Sequence, residues 1–204
     1  VGLMQSNRKL SLFIKRIIDI LGSGLGLLII LPLFIIVIIL IKVTMPGPIF
    51  FKQDRVGKDK KAFQILKFRT MKVDTEAEKN LDFSKDKNRL TTSGRVLRRT
   101  KVDELPQLLN VFSGDMSLVG PRPTVGIQVD NYTEFQTQRL NMRPGMTGLA
   151  QVNGNITLPW KQRIEYDVEY IRNFSILLDC KILIKTVAIV LLGERKFKKE
   201  KHGI

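Results

Sequence analysis

Between Ile20 and Ile41 the chain reads ILGSGLGLLIILPLFIIVIILI, twenty-two residues without a charge. As a helix this is on the order of 33 Å long, enough to cross the hydrocarbon core of a bilayer. A buried soluble helix seldom stays apolar for so long, and no small-residue cleavage site follows, so the segment is a membrane element and not a removable leader. Basic residues flank it on both sides: Arg8, Lys9, Lys15 and Arg16 before, and Lys42, Lys52, Arg55, Lys58, Lys60 and Lys61 after. The preference of such residues for the cytoplasm draws both flanks to one side, which a straight span does not allow. Pro32, at the middle of the run, lacks a backbone donor and clashes with the turn before it. The expected form is a re-entrant helix-break-helix over residues 1–45, broken at Pro32. The alternative is a kinked spanning helix with its N-terminal stub outside. Asp19 follows Lys15 by one helical turn, so a pair between them is expected at the interface.

The net charge of +15 over 204 residues implies an anionic partner: nucleic acid, a phosphorylated ligand or an anionic membrane surface. With 44% hydrophobic residues the chain builds a core. Its aromatic residues form no compact stacking motif among the basic ones, which argues against a single-strand nucleic-acid binder. There is one cysteine, Cys180, in an apolar run, and one histidine, His202. An internal disulfide is excluded, and histidine-based triads and zinc sites lose their usual parts. Any chemistry rests on carboxylates, Arg and Lys, hydroxyls, or a hard metal held by oxygen.

Beyond the membrane element, Ile49–Val56 and Ala62–Met71 flank a Gly/Asp/Lys turn and predict a β-hairpin. Residues 73–88 carry dense charge of both signs and read as a solvated helix or loop. Leu97, Val102, Leu105, Leu108, Leu109 and Phe112 predict helices with one apolar face. RPGMTGLAQVNGN, at 143–155, reads as irregular backbone. A helix starts near Leu158 and Pro159. In SILLDCKILIKTVAIVLLG, Asp179, Lys181 and Lys185 argue against a span. With Trp160, Tyr166 and Tyr170 upstream, an interfacial amphipathic helix is expected there, packing in a soluble core being the alternative. The tail ERKFKKEK suits anionic membrane lipids. The fold class is α+β and mainly helical. Its parts are the membrane element (1–45), a small cytoplasmic catalytic domain with the hairpin (46–175), and an interfacial helix with a basic tail (176–204).

Within TKVDELPQLLNVFSGDMSLVGPRP, residues 100–123, two carboxylates stand side by side, Asp103 and Glu104. Thr100 and Asp103 have capping-box spacing, which puts Asp103 in the first turn of a helix with Arg98, Arg99 and Lys101 nearby; both effects favour the ionised form. Such an Asp binds Mg²⁺ or attacks an electrophile. Neighbouring helical side chains point about 100° apart, so the two acids can hold separate roles. Taken alone, the pair reads more readily as an ordinary cap with a first-turn Glu. Arg122, between Pro121 and Pro123, is a donor on restricted backbone suited to phosphate oxygens, or else part of a proline-anchored turn. The glycine-rich stretch offers backbone donors for a nucleotide.

Together these strings resemble the bacterial sugar transferases. The resemblance rests on KRxxD before a Pro-split apolar run, FFKQDRVG, FQILKFRTM, VDELPQLLNVFSGDMSLVGPRP and RPGMTGLAQVNGN, in family order from Lys15 to Gly193. More narrowly, the chain is similar to the small monotopic phosphoglycosyl transferases. That implies transfer of a sugar 1-phosphate from a UDP-sugar to undecaprenyl phosphate with release of UMP, at the cytoplasmic face of the bacterial inner membrane. It implies that Asp103 is the nucleophile and a Mg²⁺ contact, and that Glu104 handles a proton or orients the Asp or metal. Arg98 and Arg122 would hold phosphate, with Lys67 and Arg69 of KFRTM as further candidates lining the site. A homodimer is a plausible assembly. Two departures stand out: Leu31-Pro32 replaces the family's frequent Ser-Pro at the break, and Lys101 sits where a capping Ser or Thr is usual, leaving Thr100 to cap.

Three other readings compete. A membrane-tethered basic scaffold or a nucleic-acid binder accounts for charge and anchor but not for a carboxylate pair among arginines. A polytopic transferase needs many more spans.

Overall fold

A computed structural model describes residues 2–73 and 89–193, with side chains from Arg8 onward. The charged stretch at 74–88 and the basic tail after Gly193 lie outside the described residues.

Helix α1, Gly2–Thr44, includes the whole apolar run. Among the described residues it is the one helix long and apolar enough to cross a membrane. The break expected at Pro32 is not there: the helix continues through it, with Pro32 inside. A proline removes one N–H and crowds the carbonyl four residues back, a local cost that the hydrogen bonds of the turns on either side can carry, so one continuous element survives.

One stripe of α1 faces the rest of the protein along its length. Lys15, Asp19, Ser23, Val37 and Ile41 are buried, at helical spacing, as is Met45 just past its end, while Leu21, Leu25, Leu28, Ile29, Ile36 and Ile39 around them are exposed. Gly22, Gly24 and Gly26 stand against Leu118, Phe112 and Leu108, so the absence of side chains lets these residues come close to the helix. Lys15 does not pair with Asp19, as the spacing had suggested. Its Nζ donates to Asp179 Oδ2 at 2.6 Å, and Tyr170 Oη donates to Asp179 Oδ1 at 2.7 Å. Asp19 Oδ1 accepts instead from Ser117 Oγ and the Leu118 amide, at 3.0 and 2.9 Å. Both charges are buried, where a solvated pairing along the helix gives way to partners that satisfy each group inside the protein. At the other end, Phe34 packs on Phe50 and Phe68, and Val37, Ile41 and Met45 close over Leu97.

The hairpin forms as expected: β1, Phe50–Val56, and β2, Ala62–Phe68, pair antiparallel from Phe50↔Phe68 to Val56↔Ala62. β2 stops short of Met71 because Arg69 turns toward α1, where its Nη2 donates to the carbonyls of Met45 and Pro46. Helix α2, Thr92–Arg99, is capped by Thr91, whose Oγ1 accepts from the Gly94 amide at 3.0 Å. A 3₁₀ turn, Val102–Glu104, leads to α3, Gln107–Ser113.

The glycine-rich stretch is ordered, contrary to its reading as irregular. β3, Ser117–Val119, pairs in parallel with β4, Gly145–Thr147. A β-carbon on Gly145 would stand 2.1 Å from the Gly120 nitrogen, and one on Gly148 2.2 Å from the Gly120 oxygen. The glycines are there for close backbone crossing, and the crossing consumes donors: the Gly145 amide bonds Pro121 O and the Gly120 amide bonds Thr147 O. Between β3 and β4 lie α4, Gly126–Val129, and α5, Glu134–Thr137; after β4 come α6, Leu149–Val152, α7, Trp160–Arg172, and α8, Ile176–Leu192.

α8 packs one face into the core of the protein. Asp179 and Ile182 are buried, while Leu177, Ile184, Val187 and Leu191 are exposed. Tyr170 is not an interfacial aromatic; it is buried in a core cluster with Val119, Met142, Val152, Ile171 and Ile182.

Candidate active site

Asp103 and Glu104 sit on the Val102–Glu104 turn and not in the first turn of a capped helix. Thr100 ends α2, its hydroxyl donating back to Val96 O and Leu97 O, so it caps nothing ahead of it. Lys101 then reverses the chain in the left-handed region, φ 61°, a conformation costly for a residue with a β-carbon and one that holds the turn tight.

α3 and β2 bring the cations to the acids. Asn110 donates from Nδ2 to Gln64 O and accepts at Oδ1 from the Leu66 amide, at 2.8 and 2.9 Å. This locks α3 to β2 in one register. In that register Lys67 Nζ donates to Glu104 Oε1 at 2.7 Å. Arg122 Nη2 lies 3.5 Å from the same oxygen. Arg122 is itself held through its backbone: Arg139 Nη2 donates to Arg122 O at 2.8 Å and to Asp167 Oδ2 at 2.6 Å, and Arg139 Nη1 donates to Tyr132 Oη. Arg98 Nε donates to Thr70 Oγ1 at 3.0 Å, and its charge acts on Asp103 together with those of Lys67 and Lys101. Asp103, Glu104, Lys67, Arg98 and Arg122 thus converge. The Arg69 guanidinium is engaged at the end of α1.

The two acids are driven apart electrostatically. Burial and then the Glu104 charge raise the Asp103 pKa, against the pull of Lys67, Arg98 and Lys101. Burial also pushes Glu104 up, but Lys67 and Arg122 outweigh it and hold the group below its ordinary value. The expectation that the setting favours ionised Asp103 is therefore reversed; the favoured anion is Glu104. The reason is that the anticipated helix pole is absent and desolvation opposes the charge. When ionised, a carboxylate of raised pKa is the more basic nucleophile.

Among the described residues no group of three or more His, Cys, Asp or Glu converges as a metal cage. The pair of carboxylates fits Mg²⁺ all the same, because that ion commonly takes one or two carboxylates and completes its shell with water and substrate phosphates.

Beside Arg122 opens a cavity of about 180 Å³, lined among others by Arg55, Gln151, Trp160, Arg163 and Asp167. Trp160 lines this cavity, with the Arg139 and Arg163 guanidinium carbons 5.5 and 5.2 Å from its ring centre. Asp167 is buried, which raises its pKa to about 6 despite Arg139 beside it. The residues of this cavity are scattered over more than a hundred positions, and no local spacing marks them as a group.

The sequence profile of the bacterial sugar transferase family matches residues 10–193. The chain is 42% identical over 183 residues to "Uncharacterized sugar transferase EpsL" of Bacillus subtilis, covering 90% of both chains. It is 42% identical over 188 residues to the "UDP-N-acetylgalactosamine-undecaprenyl-phosphate N-acetylgalactosaminephosphotransferase" of Aeromonas hydrophila, covering 89% of this chain and 44% of that protein. With the "UDP-glucose:undecaprenyl-phosphate glucose-1-phosphate transferase" of Caulobacter vibrioides it shares 39% identity over 193 residues, 90% of this chain and 72% of that protein. Matched from before the apolar run to the end of α8, the chain belongs to the bacterial sugar transferase family.

Proposed function

We propose that the protein transfers a sugar 1-phosphate from a UDP-sugar to undecaprenyl phosphate, releasing UMP, and so starts the assembly of a membrane-bound glycan. The observation that carries this reading is Glu104 gripped by Lys67 at 2.7 Å and Arg122 at 3.5 Å, beside the buried Asp103. Two cations braced by one carboxylate, next to a second carboxylate of raised pKa, suit the attack of an anion on a diphosphate. The activities named for the Aeromonas and Caulobacter relatives support the same substrates.

In the proposed reaction an Asp103 oxygen forms a bond to the sugar-bearing phosphorus while the bond from that phosphorus to the UMP oxygen breaks, and UMP leaves with the electron pair. An oxygen of the lipid phosphate then attacks the same phosphorus and releases the Asp103 carboxylate. Lys67 and Arg122 neutralise phosphate oxygens, and Arg98 is a further donor from α2. Glu104, held ionised by its two cations, acts by orienting them and not by carrying a proton. Mg²⁺, held by Asp103 and the diphosphate, would supply charge neutralisation at those phosphates.

The same reading puts the chain at the cytoplasmic face of the membrane as a monotopic protein. Arg8 and Lys15 near the start of α1, and Ile41 and Met45 at its end, touch one and the same body of the protein. That supports both flanks of the apolar run lying on one side. The exposed apolar residues of α1 and α8 would meet lipid.

The deciding assay is release of UMP from UDP-sugars, screened with and without polyprenyl phosphate and Mg²⁺. Sustained release that requires both is expected. No release from any UDP-sugar would refute the assignment.

A further inference from the structure

Arg98 is an exposed side chain near the end of α2, and its charge acts on Asp103. An exposed arginine has wide rotamer freedom, most of which is given up when its planar group meets an anion in one geometry. Among the described residues one hydrogen bond restrains it: Nε donates to Thr70 Oγ1 at 3.0 Å. Thr70 is held far more firmly. It is buried, and its carbonyl accepts from the Thr91 amide at 3.2 Å and from Thr91 Oγ1 at 3.1 Å. The residues after it pair with the segment that enters α2: Met71 bridges to Leu90, and the Lys72 amide donates to Arg89 O at 2.9 Å. α2 then passes directly over Thr70. A β-carbon on Gly94 would stand 1.9 Å from the Thr70 oxygen, so only a glycine permits the crossing. Gly94 and Arg98 lie four residues apart on one helix face, which hangs the arginine over the threonine hydroxyl.

A branched β-carbon restricts the threonine χ1, so on a fixed backbone the hydroxyl oxygen keeps one position. A guanidinium is flat, and a bond at Nε sets the direction of its plane. With Nε engaged by Thr70, the edge formed by the two Nη groups remains for a bidentate contact with phosphate oxygens. A donor whose orientation is set before the substrate arrives has less reorganisation to make during the reaction. We infer that Thr70 is a positioning residue for the transfer: its hydroxyl sets the plane of Arg98, so that the two Nη groups are presented to the phosphates of the substrate. Thr70 touches no substrate and acts through Arg98 alone. The inference rests on the transferase reading above and adds the residue that orders one of its phosphate donors.

The test is a double-mutant cycle on full-length protein in detergent, read by UMP release with the UDP-sugar and polyprenyl phosphate that support turnover. Thr70→Val replaces the hydroxyl by a methyl of similar size. It should lower kcat/KM about 10-fold, the size of one hydrogen bond to a charged group, with a melting temperature near wild type. Thr70→Ser keeps the oxygen and should retain most of the rate. Thr70→Ala removes the hydroxyl without adding a methyl, should lose about as much as Thr70→Val, and carries the cycle if the Val variant does not fold. A threonine that merely supports the fold would cost the same factor in any background. The hydroxyl is therefore also removed from Arg98→Lys protein, which has neither the Nε–H nor the planar fork. There the further loss should be below about 2-fold, because the partner through which Thr70 acts is gone. Wild-type kinetics in the folded Val or Ala variant, an undiminished loss in the Arg98→Lys background, or a Ser variant as impaired as Ala would each overturn the inference. All three outcomes require an active wild-type protein, so they remove this inference alone, whereas wild-type protein without turnover on any UDP-sugar removes the parent reading.

Discussion

Lys67 Nζ donates to Glu104 Oε1 at 2.7 Å across 37 positions of sequence, joining the second strand of the hairpin to the turn that carries the acid pair. The pair is only partly buried, each side chain 23% exposed. Its worth to stability is therefore small, on the order of 1 kcal/mol. Its consequence is electrostatic: Lys67 holds Glu104 ionised, and Glu104 in turn raises the pKa of Asp103.

Lys67→Met should therefore separate stability from activity. The melting temperature is expected to stay within a few degrees of wild type, while UMP release falls by about 10²–10³-fold, as when one preorganised donor is lost from a charged transition state. Lys67→Arg, which keeps the charge, should recover part of the rate. Steady-state kinetics beside thermal unfolding checks both, and a Met variant of full activity would reduce the pair to a surface contact.

Asp103→Asn tests the proposed covalent step. Wild-type protein with the correct UDP-sugar and Mg²⁺, but no lipid acceptor, should release up to one UMP per site and gain the mass of a sugar phosphate. The Asn variant should do neither. It should also be at least as stable as wild type at neutral pH, because burial raises the Asp103 pKa and an uncharged isostere avoids that opposition. Rapid-quench mass spectrometry and a thermal melt read the two outcomes. A wild-type protein that turns over without burst or adduct would favour direct attack by the lipid phosphate.

The pH dependence of stability should carry the mark of Asp167. Its pKa rises from 3.8 to about 6 in the folded protein, so between those values the folded state binds more protons than the unfolded one. The stabilisation is fully present below pH 3.8 and is lost as pH rises through about 6. The melting temperature of wild type relative to Asp167→Asn should accordingly fall between pH 4 and pH 7. A difference that is flat or rises across that range would show that Arg139 outweighs burial.

Both ends of α1 should be accessible from one compartment. Single cysteines introduced at Ser6 and Thr44, with Cys180→Ala as background, are expected to resist an impermeant thiol reagent in intact cells and to react after permeabilisation. Labelling of one end alone in intact cells would mean a span. Lys15→Met should weaken the seating of the helix, because removing one partner of a buried pair costs about 3–5 kcal/mol and takes from Asp179 the ammonium donor that it has beside the Tyr170 hydroxyl.

Much of the architecture was legible along the chain because its causes are local. An uncharged run of 22 residues makes a membrane-competent helix whatever surrounds it. Alternation around a Gly/Asp/Lys turn makes the hairpin, and the family strings are contiguous. The outcome at Pro32 was not legible, since a proline sets a local cost and the surroundings determine whether the helix bends or breaks. In the glycine-rich stretch the error was of the same kind: glycine permits irregular backbone, but it also permits the backbone crossing at Gly120, Gly145 and Gly148.

What required the folded protein is every choice of partner by a charge. Lys15 has Asp19 one turn away, yet it bonds Asp179, 164 positions distant. Arg69 lies two residues from Lys67, yet one guanidinium closes the end of α1 while the other cation grips Glu104. The order of the two carboxylates' proton affinities, and the cavity assembled from Arg55, Gln151, Trp160 and Arg163, likewise have no signature in spacing. Periodicity records which face of an element avoids water. Desolvation, and hence the preferred partner and charge of an ionisable group, depends on which distant elements close over it.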